Sequence, residues 1–259
     1  MVKINDKYEM DEILIYERSL PIYEVAVEDS KVQFAIPTHH AWGRAEYCLS
    51  AEPQTIQWIK ELKEDDILWD VGANVGTYTL LAAKLTGAKC ISFEPESGNY
   101  YLLNKNISLN KLGCKITAYN LAIAEHIGFT SLYLNWETPG ASMNAVDKPI
   151  NIYDSNDPDG RKEFEPAFRQ GIAVTTIDDL VYNQHFSPPS FLKIDVDGVE
   201  PAILQGAMKL LASGKCRSCL IEVSKFEDDH LNMLNTMKKL GFTARDPKAV
   251  NVIFDFTGK

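Results

Sequence analysis

Ile67-Leu-Trp-Asp-Val-Gly-Ala-Asn-Val-Gly-Thr-Tyr-Thr-Leu80 changes its period in mid-course. Ile67 to Val71 is a compact apolar run of strand length, and Thr77 to Leu85 carries helical spacing. Between them, Gly72 and Gly76 permit a tight turn and a close approach of the backbone to a ligand, with the helix N-terminus facing it. Strand, glycine-bearing turn and helix in this order read as the wall of a nucleotide-type cofactor pocket.

The turn also narrows the cofactor. A dinucleotide fingerprint wants Gly-x-Gly-x-x-Gly, and Asn74 stands where the second glycine would let a pyrophosphate touch the backbone. A nicotinamide-dependent oxidoreductase is therefore argued against, and a cofactor without pyrophosphate fits better. S-adenosylmethionine is one. The next apolar run, Lys89 to Phe93, ends at Glu94, whose carboxylate can accept hydrogen bonds from both ribose hydroxyls at the usual interval of about 20 residues.

Outward from this unit the alternation continues. Asn99 to Asn110 is helical and Lys115 to Leu121 strand-like. Phe191 to Val196 is a bounded apolar run followed by a helix over Pro201 to Leu211, and Pro201 suits a first helical turn. Cys219 to Val223 reads as a strand, Asp229 to Leu240 as a helix ending at Gly241, and Val250 to Phe254 as a last strand. The order predicts an α/β fold: a doubly wound, Rossmann-like, mostly parallel seven-stranded sheet with helices on both faces.

Two regions stand outside the rhythm. Residues 1–50, with alternations such as Tyr23-Glu-Val-Ala-Val, read as an N-terminal β-rich extension, leaving 51–259 as the catalytic domain. Residues 136–171, with Pro139-Gly140 and Asp157-Pro158-Asp159-Gly160, read as an inserted surface loop and a candidate substrate lid.

Composition sets limits. Thirty-six acidic against 26 basic side chains leave a net charge of −10, which repels a phosphate backbone, so no nucleic-acid substrate is expected. The N-terminus lacks a signal-peptide pattern and no run of about 18 apolar residues occurs, so the expectation is a cytoplasmic chain without membrane insertion. Five cysteines read as reduced thiols, and Cys216-Arg-Ser-Cys219 lacks the second pair a zinc site needs, so no metal is expected.

At this point the sequence resembles the FkbM-type methyltransferases of the class I S-adenosylmethionine-dependent group. The resemblance is carried by Leu68-Trp-Asp-Val-Gly-Ala-Asn-Val-Gly-Thr-Tyr-Thr-Leu80, Ile91-Ser-Phe-Glu-Pro95 and Leu192-Lys-Ile-Asp-Val-Asp-Gly-Val-Glu200. Ala51-Glu-Pro-Gln-Thr55, Asn120-Leu-Ala-Ile123, Val174-Thr-Thr-Ile-Asp-Asp-Leu180 and Ile221-Glu-Val223 extend it over roughly residues 50–250. It weakens in the first 45 residues and in the insert, and Asp197 stands where the family usually shows glutamate.

The resemblance implies S-adenosylmethionine bound by Asp70, Gly72, Asn74, Gly76, Thr77, Glu94 and Ala122. It puts Asp195 near the transferred methyl, and Lys193, two residues away on the same strand face, can pair with it. Asp197 and Glu200 belong to the turn and helix start beyond. The expected reaction is methylation of a hydroxyl on a small molecule or glycan, with N-methylation or a non-catalytic cofactor-binding module left open. Asp195, His39, His40 or an insert residue could accept the proton. His39-His40 before Trp42-Gly43-Arg44 suits a polar acceptor, although a solvated turn after Pro37 is the plainer reading.

Overall fold

The structure, a computed structural model, describes residues 10–151, 162–223 and 227–258. The turn expected at Asp157 to Gly160 lies outside the described residues. Met10–Arg18 forms α1; Ile22–Val27 (β1) and Ser30–Ala35 (β2) pair as an antiparallel hairpin, followed by His39–Glu46 (α2) and Pro53–Ile59 (α3). Ile67–Val71 (β3), Thr77–Thr86 (α4), Lys89–Phe93 (β4), Ser97–Leu109 (α5) and Ile116–Tyr119 (β5) make the βαβ succession. Short strands come next: Ala122–Ile123 (β6), Gly128–Leu134 (β7), Ala145–Val146 (β8), Ile150–Asn151 (β9), Lys162–Glu163 (β10) and Phe168–Thr175 (β11). The last third holds Ile177–Tyr182 (α6), Phe191–Ile194 (β12), Glu200–Gln205 (α7), Met208–Ala212 (α8), Ser218–Glu222 (β13), Glu227–Lys239 (α9), Phe242–Ala244 (β14) and Asn251–Phe256 (β15).

The main sheet has seven strands in the order β14-β15-β13-β12-β3-β4-β5. It is mixed: β13, β12, β3, β4 and β5 pair in parallel, and β15 runs antiparallel to both of its neighbours. Successive side chains alternate between its faces. Leu68 packs with Trp58, Ile59, Leu80 and Leu81 on one side, whereas Trp69 and Val71 pack with Ile203, Leu210 and Met237 on the other. Burying Trp58 and Trp69 completely stabilises the two layers by roughly 1.5–3 kcal/mol each. The chain leaves β3 toward β4 on one side and returns through β12 on the other. The carboxyl ends of β3 and β12 therefore flank a topological switch point, where open α/β sheets form a crevice.

Three features depart from the sequence reading. Among the described residues, 10–50 hold two helices besides the hairpin, and Val32, Phe34, Ala45 and Cys48 share one core with Ile56 and Leu80. Asn106 and Asn110 of α5 cap the backbone of β2, through Ala35 N–H (2.7 Å) and Gln33 N–H (2.9 Å), so the hairpin is sewn to the sheet domain. Secondly, β6, β11, β7 and β8 form a four-stranded sheet of their own, which includes residues read as insert. Its strands β6 and β8, of two residues each, carry no period for a sequence reading to detect. Thirdly, the helix expected over 201–211 breaks at Gly206, which caps Glu200–Gln205 at a point where a side chain would lie 2.5 Å from the Ala124 carbonyl. Among the described residues, no helix is long and apolar enough to cross a membrane.

Candidate active site

The turn after β3 is held by its backbone. Gly72 and Ala73 N–H both donate to the Phe93 carbonyl, at 3.0 and 3.1 Å, which ties the turn to the end of β4. Gly72 has φ +84°, and a Cβ built on it would fall 1.9 Å from the Asp195 carbonyl oxygen. Only glycine lets the ends of β3 and β12 approach so closely. Asn74 takes a left-handed conformation (φ 51°), which asparagine tolerates better than most residues.

Asn74 serves three contacts. Its N–H donates to Glu94 Oε2 (2.8 Å), its Oδ1 accepts from Val75 N–H (2.9 Å), and its Nδ2 donates to the Ala141 carbonyl (2.8 Å). Glu94 Oε1 accepts in turn from Glu96 N–H at 2.9 Å. The Glu94 carboxyl is thus fixed by two amides at the wall of a crevice. Its burial outweighs those amides and pushes its pKa up to about 7.

Two cavities open along this crevice. The smaller, about 280 Å³, lies between the β3 turn and the second sheet; its walls include Phe93, Glu94, Ala122, Leu132 and Val146. The larger, about 490 Å³, lies under α2 and the segment after β7; its walls include His39, His40, Tyr78, Trp136 and Lys193. Arg44, Glu52, Gly72, Asn74, Ser142 and Asp195 line both. A group at this shared wall can touch a ligand in either space.

Below the shared wall is a buried charge cluster. Lys193 Nζ donates to Asp195 Oδ2 at 2.6 Å and lies 3.9 Å from Asp70 Oδ1. Asp70 is its register partner on the neighbouring strand. Burial alone would lower the Lys193 pKa, but Asp195 and Asp70 raise it well above the ordinary value, so the ammonium persists. Burial works to raise Asp195 too, yet Lys193, aided by a hydrogen bond with Glu222, holds it below the carboxylate norm. Asp70 goes the other way: burial pushes it up against the pull of Lys193 and of the Thr79 hydroxyl, which donates to it at 2.5 Å. Asp197 and Glu200 are also raised by burial, to about 6 and about 7.

The segment between β7 and β8 is fastened from several directions. Gly140 N–H donates to Asn99 Oδ1 (2.6 Å), Arg44 Nε to the Gly140 carbonyl (3.2 Å), the Thr38 hydroxyl to the Pro139 carbonyl (2.6 Å), and Met143 N–H to Asp197 Oδ2 (2.6 Å). This stretch was expected as a surface loop; residues 139–143 instead form the partition between the cavities.

Of the residues singled out in the sequence, Gly72, Asn74, Glu94 and Ala122 line the smaller cavity, and Asp195 lines both. Lys193 and Thr77 face the larger one. Asp70 and Gly76 reach neither. Asp70 is 1% exposed beneath the turn, and Gly76, at φ +91°, starts α4 against Leu103. In the structure Asp70 is a counter-charge to Lys193 and Gly76 sets the entry to α4. His39 and His40 open α2 behind the Thr38 cap instead of forming a solvated turn. Cys216 and Cys219 are buried thiols with Sγ atoms 3.5 Å apart, and neither lines either cavity.

Sequence reasoning assigned no role to Glu52, Asn99, Ser142 or Trp136. Glu52 sits in the quoted Ala51-Glu-Pro-Gln-Thr55 stretch, so its signal was present; the others depend on a loop path that no local pattern encodes. The comparisons with known proteins agree with the motif-based resemblance. The family described as "Methyltransferase FkbM domain" matches residues 70–244. A hexuronic acid methyltransferase, AglP, of Haloferax volcanii is 25% identical over 155 residues, 60% of this chain and 55% of that protein. Methyltransferase sdnD of Sordaria araneosa is 25% identical over 162 residues, 57% of this chain and 62% of that one. A tRNA (guanine(37)-N(1))-methyltransferase of Phytophthora infestans is 26% identical over 132 residues, 48% of this chain and 30% of that protein. The chain thus spans less than two thirds of the curated relatives it matches.

Proposed function

This chain belongs to the FkbM methyltransferase family, and we propose that it transfers a methyl group from S-adenosylmethionine to a hydroxyl of a small molecule or glycan. The observation that carries the reading is the wall shared by two cavities, because methyl transfer needs two ligands meeting at one point. The fold reads as doubly wound and Rossmann-like, with its crevice at the switch point.

The residues of the smaller cavity fit the cofactor. Glu94 offers a carboxylate for two ribose hydroxyls, and Phe93, Leu132 and Val146 offer apolar surface for a flat base. On the side of the larger cavity, Thr77 Oγ1 is buried without a hydrogen bond, and a ligand atom reaching it from there would satisfy it. When bound, the cofactor supplies an activated methyl on a sulfonium. The protein then has to orient an acceptor oxygen in line with that methyl and exclude water.

Asp195 suits the orienting part. Ionised and fixed by Lys193, it can accept a hydrogen bond from an acceptor hydroxyl at the shared wall. The larger cavity joins aromatic rings to carboxylates and a guanidinium, which matches a hydroxylated, polar acceptor. The acidic net charge disfavours a nucleic-acid acceptor, and the hexuronic acid activity of the archaeal relative supports a sugar.

Titration calorimetry of the purified chain with S-adenosylmethionine and S-adenosylhomocysteine tests the first step without an acceptor. Micromolar binding of both is expected. Absence of heat from folded, cofactor-free protein would sink the assignment.

A further inference from the structure

Transfer to a hydroxyl releases a proton, and the carboxylate best placed to orient the acceptor is poorly suited to take it. Asp195 is clamped by an ammonium 2.6 Å away, which lowers its basicity. Lys193 itself stays protonated. Glu52 already accepts from the Thr55 hydroxyl at 2.7 Å and from Tyr78. Burial pushes the Tyr78 phenol up, and pushes the Cys48 thiol up to about 11, so neither ionises near neutrality.

His40 differs from all of these. It stands in the first turn of α2, half-buried, and faces the larger cavity. Its ring is held between His39, with centroids 4.0 Å apart, and Trp136, at 5.9 Å. Among the described residues its ring nitrogens carry no hydrogen bond, so both remain available to a ligand. The charged and titratable groups around this space are His39 and Arg44 from α2, Tyr47 and Cys48 just after it, Glu52 before α3, Tyr78 of α4, and Lys193 and Asp195 at the end of β12. Burial first, then His39 and Arg44, lower the His40 pKa and keep the imidazole neutral at physiological pH.

We propose that His40 is the general base that removes the proton from the acceptor hydroxyl. The inference rests on the hydroxyl-methylation reading above. As the new oxygen–methyl bond forms, the sulfur–methyl bond breaks and its electron pair stays on sulfur, leaving a neutral thioether. The hydroxyl proton passes to a free imidazole nitrogen, and the imidazolium returns it to water through the open mouth of the cavity. Asp195 orients the same hydroxyl as a hydrogen-bond acceptor until the proton leaves.

The test uses the full chain with S-adenosylmethionine, and methyl α-D-glucopyranoside and D-glucuronate as hydroxyl probes. Release of S-adenosylhomocysteine is followed from pH 5 to 9. In wild type, turnover should rise through a single acidic limb below the ordinary histidine value of about 6.5. His40→Ala should lose about 100-fold or more in turnover, keep its calorimetric affinity for S-adenosylmethionine, lose the acidic limb, and regain rate on addition of imidazole. His40→Gln, which fills the same space, should lose as much and resist rescue. Retained turnover in both variants, or an unchanged acidic limb, would overturn the inference alone. So would an NMR titration placing the His40 imidazole above its ordinary pKa. If wild type binds the cofactor but methylates neither sugar, the sugar-hydroxyl reading falls and takes this inference with it.

Discussion

The two cavities are built by different means. The smaller is walled by the ends of strands and the turns that follow them, whose positions are set by the hydrogen-bonded sheet. The larger is roofed by α2 and the partition after β7, elements that belong to no part of the main sheet. The first takes its form mainly from backbone pairing between strands. The second is ordered only because side chains from several elements reach over to hold it. A pocket of the first kind suits a ligand shared across a family, and one of the second kind suits a ligand that differs among its members.

The contrast can be broken at Gly72, where the two constructions touch. Gly72→Ala should cost about 2–5 kcal/mol, from left-handed backbone strain together with a clash against the Asp195 carbonyl that neither strand can relieve. Chemical denaturation would show it, and a loss below 1 kcal/mol would mean that the strand ends are not locked as described.

Glu94 sharpens the comparison at the cofactor side. Glu94→Ala should weaken binding of S-adenosylmethionine by about 1.5–3 kcal/mol in calorimetry, through loss of charge-assisted hydrogen bonds. The ionised carboxylate is the better acceptor, so wild-type affinity should fall as pH drops below the Glu94 pKa of about 7. Stability of the cofactor-free chain should run the other way. Glu94, Glu200 and Asp197 have folded values raised above those of the unfolded chain, so the folded state holds more protons between about 4.5 and 7. Their ionisation therefore opposes folding as pH rises through that window, and melting temperature should decline from pH 5 to 7. A rising melting temperature would show that these carboxyls are not desolvated.

The smallest effect on stability belongs to the roof of the larger cavity. Trp136 is 44% exposed, and Trp136→Ala should cost no more than about 1 kcal/mol, mostly its ring contact with His40. Cofactor affinity should stay put while turnover on a sugar acceptor falls. Equal losses in both would erase the distinction between the two spaces.

What could be read from the sequence divides along the same line. The β3 turn, Glu94 and the Lys193–Asp195 strand were legible because a change of period, a glycine at a forced turn and a two-residue alternation are local signals. The second sheet, Asn99 and residues 139–143 were not, because their order comes from tertiary hydrogen bonds such as that from Gly140 to Asn99, 41 residues apart. Asp70 shows what a motif leaves out. A carboxylate in a cofactor motif invited a ligand contact, while its place on the strand face beside Lys193 makes it a buried counter-charge.

The partition over residues 139–143 is grasped almost wholly by its main chain: the Pro139, Gly140 and Ala141 carbonyls and the Gly140 and Met143 amides take the contacts. Gly140 is constrained in identity, since a side chain there would strike Ala41, and so are Ala141, which is buried, and in part Met143, whose backbone is left-handed (φ 64°). Because the clamps grip main-chain atoms, side chains that face the cavity can be exchanged without removing them. For protein engineering this makes the stretch a replaceable cassette: libraries at 136 and 143, with the clamps at Thr38, Asn74, Asn99 and Asp197 left intact, would diversify what enters the larger cavity while the rest of the chain goes on folding as before.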